Sequence, residues 1–280
     1  MSKKIITEQH LTDFEQYLRC EEKSNATIRK YLCDVRRWMG FLAGKEVDKE
    51  KMLRYKETLG QNYAVTSANS MIASVNAFLR FENWQELCIH QFKIQRQAYC
   101  PEEKELSKEE YVRLVGAAAK MGNERLSLMI QTICGTGIRV SELTYITAEA
   151  VKQGQVTVRC KGKTRTIFLV TKLRKKILKY MNEQRICRGP VFITKSGKPI
   201  DRSNVWREMK AICKEAGVQK EKVFPHNLRH LFARTFYNLE KDIAKLADIL
   251  GHSSINTTRI YIITTGAEHR KRMERMRLII

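Results

Sequence analysis

The chain has 280 residues, 43% of them hydrophobic, which is enough for two packed domains and excludes extensive disorder. Its 52 Lys and Arg outnumber 30 Asp and Glu for a net charge of +22, and on a folded chain that surplus points to a polyanionic partner, nucleic acid first. No apolar run approaches the ~18 residues of a spanning helix, and the start MSKKIITEQHLTDF lacks an apolar signal core, so the reading is a cytosolic protein with no membrane partner.

The eight cysteines, at 20, 33, 88, 100, 134, 160, 187 and 213, form no CxxC pair, which argues against a zinc or redox motif. They read as reduced thiols, several of them in cores. The charge is uneven: residues 1–100 carry 16 Lys and Arg against 12 Asp and Glu, whereas residues 101–280 carry 36 against 18.

The first hundred residues read as helical. In NATIRKYLCDVRRWMGFL, Ile28, Leu32, Val35, Trp38, Met39 and Leu42 recur at helical spacing, with Arg29, Arg36 and Arg37 on the other side. TSANSMIASVNAFLRFENW repeats the pattern, and its other face carries Ser67, Ser70, Ser74 and Arg80. Short hydroxyls beside arginines suit contact with a phosphate backbone, although a merely solvated face fits any one of these residues equally well. Arg29, Arg36, Arg37, Ser67, Ser70 and Arg80 are the candidate DNA-binding residues of this segment.

QRQAYCPEEKELSKEE then breaks the pattern at Pro101. Ser107 and Glu110 form a capping box, so the expected division is a helical domain at 1–95, a linker at 96–106 and a second domain at 107–280. That domain starts helical. QVTVRC and RTIFLV then read as two strands flanking KGKT as a hairpin turn. Helical patterns resume in LRKKILKYMNEQ and in NVWREMKAICKEAG, with Gly217 as the stop. The expected fold class is mostly α with one small antiparallel β-sheet.

The chemistry gathers in PHNLRHLFART and LGHSSINTTRIYI. His226 and His230 stand four apart, Arg229 lies between them, and His252 and Tyr261 follow. A zinc-protease helix needs Glu directly after the first His, where this chain has Asn227, and no carboxylate lies in the motif. A phosphate clamp fits better. Guanidinium forks match phosphate oxygens, and two arginines with histidines can stabilise the charge that an in-line attack develops, without a metal. A tyrosine hydroxyl, whose ordinary pKa is about 10, becomes a plausible nucleophile beside such cations. The second arginine is Arg139 in CGTGIRVSEL, after a glycine pair, Gly135 and Gly137, that lets the backbone turn before a helix.

On these residues the chain resembles the tyrosine recombinases, the family of phage integrases and Xer-type resolvases. GTGIRVSEL matches the family's first box, HNLRHLFA its second and LGHSSINTTRIYI its third, with nine residues from His252 to Tyr261; CKGKTR supplies the hairpin lysine. LSKEE is similar to the usual start of the catalytic domain, and the helix at 25–42 to the core-binding domain. The resemblance covers nearly the whole chain. It implies the family's two-domain architecture, a helical core-binding domain followed by an α+β catalytic domain.

It also implies the roles. Tyr261 is the nucleophile that forms a 3′-phosphotyrosyl link, and Arg139 and Arg229 clamp the scissile phosphate. His252 hydrogen-bonds a nonbridging oxygen, and His226 does acid–base work. Lys161, directly before Gly162, protonates the leaving 5′-oxygen, with Lys163 as its rival in the same turn. Glu142, three after Arg139, orients the site, and His230 packs or hydrogen-bonds locally.

No cofactor and no metal are implied, because the phosphotyrosyl bond keeps the energy of the phosphodiester. The implied partners are double-stranded DNA with inverted-repeat core sites, a homotetramer on synapsed DNA, and accessory DNA-bending or directionality proteins. The implied localisation is cytoplasmic and nucleoid-associated. The helices begin within about the first ten residues, so the form expected is the compact Xer-sized one without an arm-binding domain. The segment from Ala267, basic and ending in Leu278, Ile279 and Ile280, is expected to dock on a neighbouring subunit, or else on its own domain. Two other readings are a non-catalytic DNA-binding regulator derived from a recombinase and a type IB topoisomerase. The intact Arg, Lys, His and Tyr set weighs against the first, and the compact N-terminal domain and LGHSS box against the second.

Overall fold

The structure, a computed structural model, describes residues 4–94, 105–160, 163–194, 196–261, 270 and 273–276. By internal packing the chain divides into two compact units, Met1–Arg96 and Gln97–Ile280. The architecture is the mostly helical one expected, with a single two-stranded antiparallel sheet among the described residues.

The first unit holds α1 (Glu8–Cys20), α2 (Asn25–Leu42), α3 (Lys49–Asn62) and α4 (Val65–Phe81). Ser24 caps α2 by accepting from the Thr27 backbone N–H, and Asp48 caps α3 in the same way through Lys51. Phe14, Trp38 and Phe78 meet at the centre, with Phe78 edge-on to both other rings at 5.2 and 6.0 Å. Two asparagines, two helical turns apart on α4, tie down the segment that leaves this unit. Asn76 exchanges two hydrogen bonds with the backbone of Ile89, and Asn69 does the same with Phe92.

Of the residues read as a phosphate-facing side, Arg29, Arg36, Arg37, Ser67, Ser70 and Arg80 are exposed. Ser74 is not. It is fully buried and donates to the Asp34 carboxylate at 2.7 Å, which Lys30 also holds. The reason is that α4 packs against α1, α2 and α3 together, so its buried arc is wider than that of a surface helix.

The second unit begins with α5 (Lys108–Lys120) and α6 (Glu124–Thr136), and the Ser107–Glu110 capping box forms at the start of α5. A 3-10 turn over Val140–Tyr145 leads to α7 (Ala148–Gln153), β1 (Gln155–Cys160) and β2 (Lys163–Phe168). There follow α8 (Thr171–Glu183), α9 (Arg202–Ala211), α10 (Cys213–Ala216), α11 (Pro225–Glu240), α12 (Ile243–Leu250) and α13 (Ile255–Arg259). The hydrophobic core surrounds α6, from Leu126 to Ile133, and takes in Val156, Val158 and Ile167 from the hairpin.

The second unit departs from its sequence pattern at three places. The register pairs Cys160 with Lys163, so Lys163 is a strand residue and β2 starts two residues earlier than the apolar run RTIFLV suggests. Cross-strand hydrogen bonding carries the ladder past the last apolar residue. Gly135 lies inside α6. Only Gly137 turns the chain, in the left-handed conformation at φ +65°. Helix 204–217 breaks at Ile212 into α9 and α10 before the Gly217 stop.

Of the cysteines described, Cys213 is buried, and Cys88 and Cys134 pack partly buried against the two cores. Cys20, Cys33 and Cys187 are exposed. No helix among the described residues is long and apolar enough to cross a membrane.

Candidate active site

The long helix α11 builds one wall. Pro225 at its first turn has no N–H to leave unsatisfied. His226, Arg229 and His230 then fall at i, i+3 and i+4, on one face. Arg229 is only 1% exposed, an unusual depth for a guanidinium. It is stabilised there by acceptors at the ends of two other helices. One Nη donates to the Gly137 carbonyl after α6, and the other to the Leu250 carbonyl at 2.7 Å, at the end of α12. The second also reaches His252 Nε2 at 3.0 Å. Burial first, then the charge of Arg139, lowers its pKa to about 10, which leaves it protonated at neutral pH.

Gly137 is required for this packing. A Cβ there would sit 2.5 Å from the Phe232 ring and 2.9 Å from Leu250. Gly251 ends α12 in the left-handed conformation and turns the chain into His252. Ser254 caps α13, whose last turn delivers Tyr261; the Tyr261 backbone N–H donates to the Thr258 carbonyl at 2.9 Å.

The Tyr261 ring is 5% exposed and packs against three imidazoles, with centroids at 4.3 Å (His230), 5.3 Å (His252) and 5.5 Å (His226). The Arg229 guanidinium lies 6.0 Å from its centre, within cation–π range. Its hydroxyl is 3.4 Å from His226 Nε2, a long hydrogen bond. Burial, then Arg229 and Arg139, holds His226 below its ordinary value. Burial pushes His230 down to about 4, with His226 adding to it; burial and then Arg229 do the same to His252. All three rings are therefore neutral at pH 7, and a neutral imidazole beside a phenol can accept its proton.

Arg139 begins the 3-10 turn. Its backbone N–H donates to Glu142 Oε2 at 2.8 Å and its Nη1 to Glu142 Oε1 at 3.0 Å, while Nη2 lies 3.4 Å from the Gly251 carbonyl. The side chain is 36% exposed, so part of its fork stays open. Glu142 is buried. Burial pushes its carboxyl up, but bonds from Arg165 and Arg139 outweigh this and leave it below the usual carboxylate range.

The structure thus brings Arg139, Glu142, His226, Arg229, His230, His252 and Tyr261 into one cluster. Lys161 lies outside the described residues, and so does the side chain of Lys163. The candidate DNA-binding residues Arg29, Arg36, Arg37, Ser67, Ser70 and Arg80 belong to the first unit. His230, read as a local packing residue, packs directly against the tyrosine ring, tilted at 35°.

Two residues of the cluster escape a reading of the sequence. Arg165 on β2 grips Glu142 with both Nη groups, and Thr258 accepts or donates at His252 Nδ1 at 2.8 Å. A signal for Arg165 exists: it shares a strand face with Ile167, which is buried, and a charge on the inward face of a strand needs a partner. Among the described residues no group of His, Cys, Asp or Glu is arranged to hold a metal ion.

Residues 104–267 match the Phage integrase family, and residues 11–86 match the Phage integrase, N-terminal SAM-like domain. The tyrosine recombinase XerA of Pyrococcus furiosus is 30% identical over 289 residues, covering 100% of this chain and 98% of that protein. Among solved structures, the crystal structure of XerA recombinase matches with a TM-score of 0.56 at 27% identity, covering 98% of this chain and 100% of that one. A lambda integrase tetramer bound to a Holliday junction shares the fold, with a TM-score of 0.74 at 16% identity over 93% of this chain and 78% of that one.

Proposed function

This chain belongs to the phage integrase family and is a tyrosine-type site-specific recombinase; from that premise we propose that Tyr261 cleaves and rejoins duplex DNA with the cluster around it. The observation that carries the residue assignment is the Tyr261 hydroxyl, 3.4 Å from a neutral His226 and flanked by a buried guanidinium. Tyr261 Oη attacks the phosphorus and gives its proton to His226. The P–O5′ bond breaks, leaving a 3′-phosphotyrosyl link and a 5′-hydroxyl. Lys161, or its rival Lys163, protonates that leaving oxygen. Attack by a 5′-hydroxyl from a partner strand reverses the step and reseals the DNA.

Arg139, with donors still open, and Arg229 hold the nonbridging oxygens. His252 Nε2 accepts from Arg229 in the free protein; the phosphate's charge favours protonation, after which the imidazole can donate to the same oxygen. Glu142 and His230 support the two ends of this set. Residues 1–95 act as the core-binding domain, touching phosphates through Arg29, Arg36, Arg37, Ser67, Ser70 and Arg80. Residues 96–106 link it to the catalytic domain at 107–280.

Double-stranded DNA with inverted-repeat core sites is the partner, and a homotetramer on synapsed DNA is the working assembly; the segment from Ala267, expected to dock on the next subunit, lies mostly outside the described residues. Accessory DNA-bending or directionality proteins assist at the site. The compartment is the cytoplasm, at the nucleoid. The net charge of +22 supports a phosphate-dominated interface.

The test is chemical polarity. Wild-type protein is incubated with duplex DNA and denatured in detergent, and the ends are examined. Free 5′-hydroxyl ends, with protein blocking the 3′ ends, are expected; protein on 5′ ends overturns the assignment. DNA affinity measured against salt is expected to fall with a log–log slope of about −0.9 per phosphate contacted.

A further inference from the structure

The Glu142 carboxylate is 2% exposed and accepts four N–H groups from two arginines. Arg139 supplies its backbone N–H at 2.8 Å and one Nη at 3.0 Å; Arg165 supplies both Nη groups, at 3.1 and 2.7 Å. Arg165 itself is 13% exposed, and its Nε is buried with no partner among the described residues, so it acts from behind the cluster. It also fills the space beside Gly251. A Cβ on Gly251 would lie 2.7 Å from Arg165 Nη1 and 2.9 Å from its Cδ, and the carbonyl of the same glycine faces Arg139 Nη2.

A carboxylate and one arginine make a neutral pair, and a neutral pair is a poor anchor for a phosphodiester anion. Two arginines on one carboxylate leave a charge of +1. They also leave the Arg139 guanidinium on a single carboxylate oxygen, Oε1, because the Arg165 fork spans both. We propose that Arg165 is a positioning residue of this active site: by saturating Glu142 from the hairpin side it keeps Arg139 net-charged and its remaining donors free for the scissile phosphate. The inference rests on the DNA-cleaving reading above. A lysine cannot replace it fully, since an ammonium carries the charge but not the fork.

The rival is a plain ion pair that anchors the hairpin. The two differ in what removal of both charges does. We would compare wild type, Arg165→Lys, Arg165→Met and the double variant Glu142→Gln/Arg165→Met, each checked for thermal unfolding. Phosphotyrosyl adduct formation on duplex DNA is the first readout. Binding of inorganic vanadate to the free protein, followed by vanadium NMR, is the second and needs no DNA site.

Arg165→Met is expected to slow adduct formation by about 100-fold and weaken vanadate by about ten-fold, with DNA affinity changed far less. Arg165→Lys falls between, and the double variant recovers most of both losses. The inference is overturned if Arg165→Met matches wild type in either readout, or if the double variant is no better than the single one at comparable unfolding temperature. Absence of any adduct from wild type would refute the DNA-cleaving reading instead, and the vanadate series would still decide the role of Arg165.

Discussion

Arg229 and His252 share a hydrogen bond of 3.0 Å that decides which imidazole nitrogen carries the proton. A guanidinium only donates, so Nε2 accepts, and the proton of the neutral ring sits on Nδ1, where Thr258 Oγ1 receives it at 2.8 Å. Thr258 is fully buried, so no water substitutes easily. Thr258→Val removes that acceptor at nearly constant shape. It is expected to lower stability by about 1–3 kcal/mol and to slow adduct formation, because the ring loses its fixed orientation. Urea unfolding and single-turnover cleavage measure the two.

Arg229→Lys tests the fork. The arginine bonds two backbone carbonyls and an imidazole from a site 1% exposed, and an ammonium on a different stem cannot reach all three. The expected loss is about 3–5 kcal/mol, because the carbonyls are stranded and a charge is left buried with poor pairing. A variant as stable as wild type would contradict this description of the joint.

The histidines give stability a pH dependence of definite sign. His230 and His252 are pushed from 6.5 down to about 4, and His226 is lowered as well. Below about pH 6.5 the unfolded chain takes up protons that the folded chain refuses. The contribution is therefore complete above about pH 6.5 and declines as the pH falls toward 4. Urea unfolding of wild type and His230→Asn at pH 7 and pH 5 isolates it: the loss on acidification is expected to be smaller in the variant.

Gly137→Ala introduces a methyl 2.5 Å from the Phe232 ring at φ +65°. Ring displacement and left-handed strain together are expected to cost about 2–4 kcal/mol. The same shift moves the carbonyl that holds Arg229, so cleavage is expected to fall more than stability alone explains. Gly135→Ala, inside α6 with its nearest neighbour 3.8 Å away at Leu173, is expected to be nearly neutral.

These two glycines mark where reading the sequence stops. The helix at 25–42 is legible to its ends, because its apolar period and its cap, Ser24, agree. The Ser107–Glu110 box is equally legible, because its hydrogen bonds are local. The burial of Ser74 is not, since it depends on α4 packing against three other helices. The partner of Arg165 stays hidden for the same reason: Glu142 lies 23 residues away in the chain. The residues that gather around Tyr261 are legible as motifs. That three neutral imidazoles pack around the Tyr261 ring follows only from the way α11, α12 and α13 meet.

Tyr261 is the residue expected to become joined to DNA. Wild type and Tyr261→Phe would be incubated with fragmented DNA of the source genome and denatured in detergent, and the covalently held DNA sequenced. Because the hydroxyl's hydrogen bond to His226 is long, at 3.4 Å, and the ring keeps its packing, the variant is expected to fold and bind DNA as wild type does. Adducts are expected with wild type alone, clustered at a few inverted-repeat sites. Adducts with both proteins, or none with a wild type that still binds DNA, would contradict it.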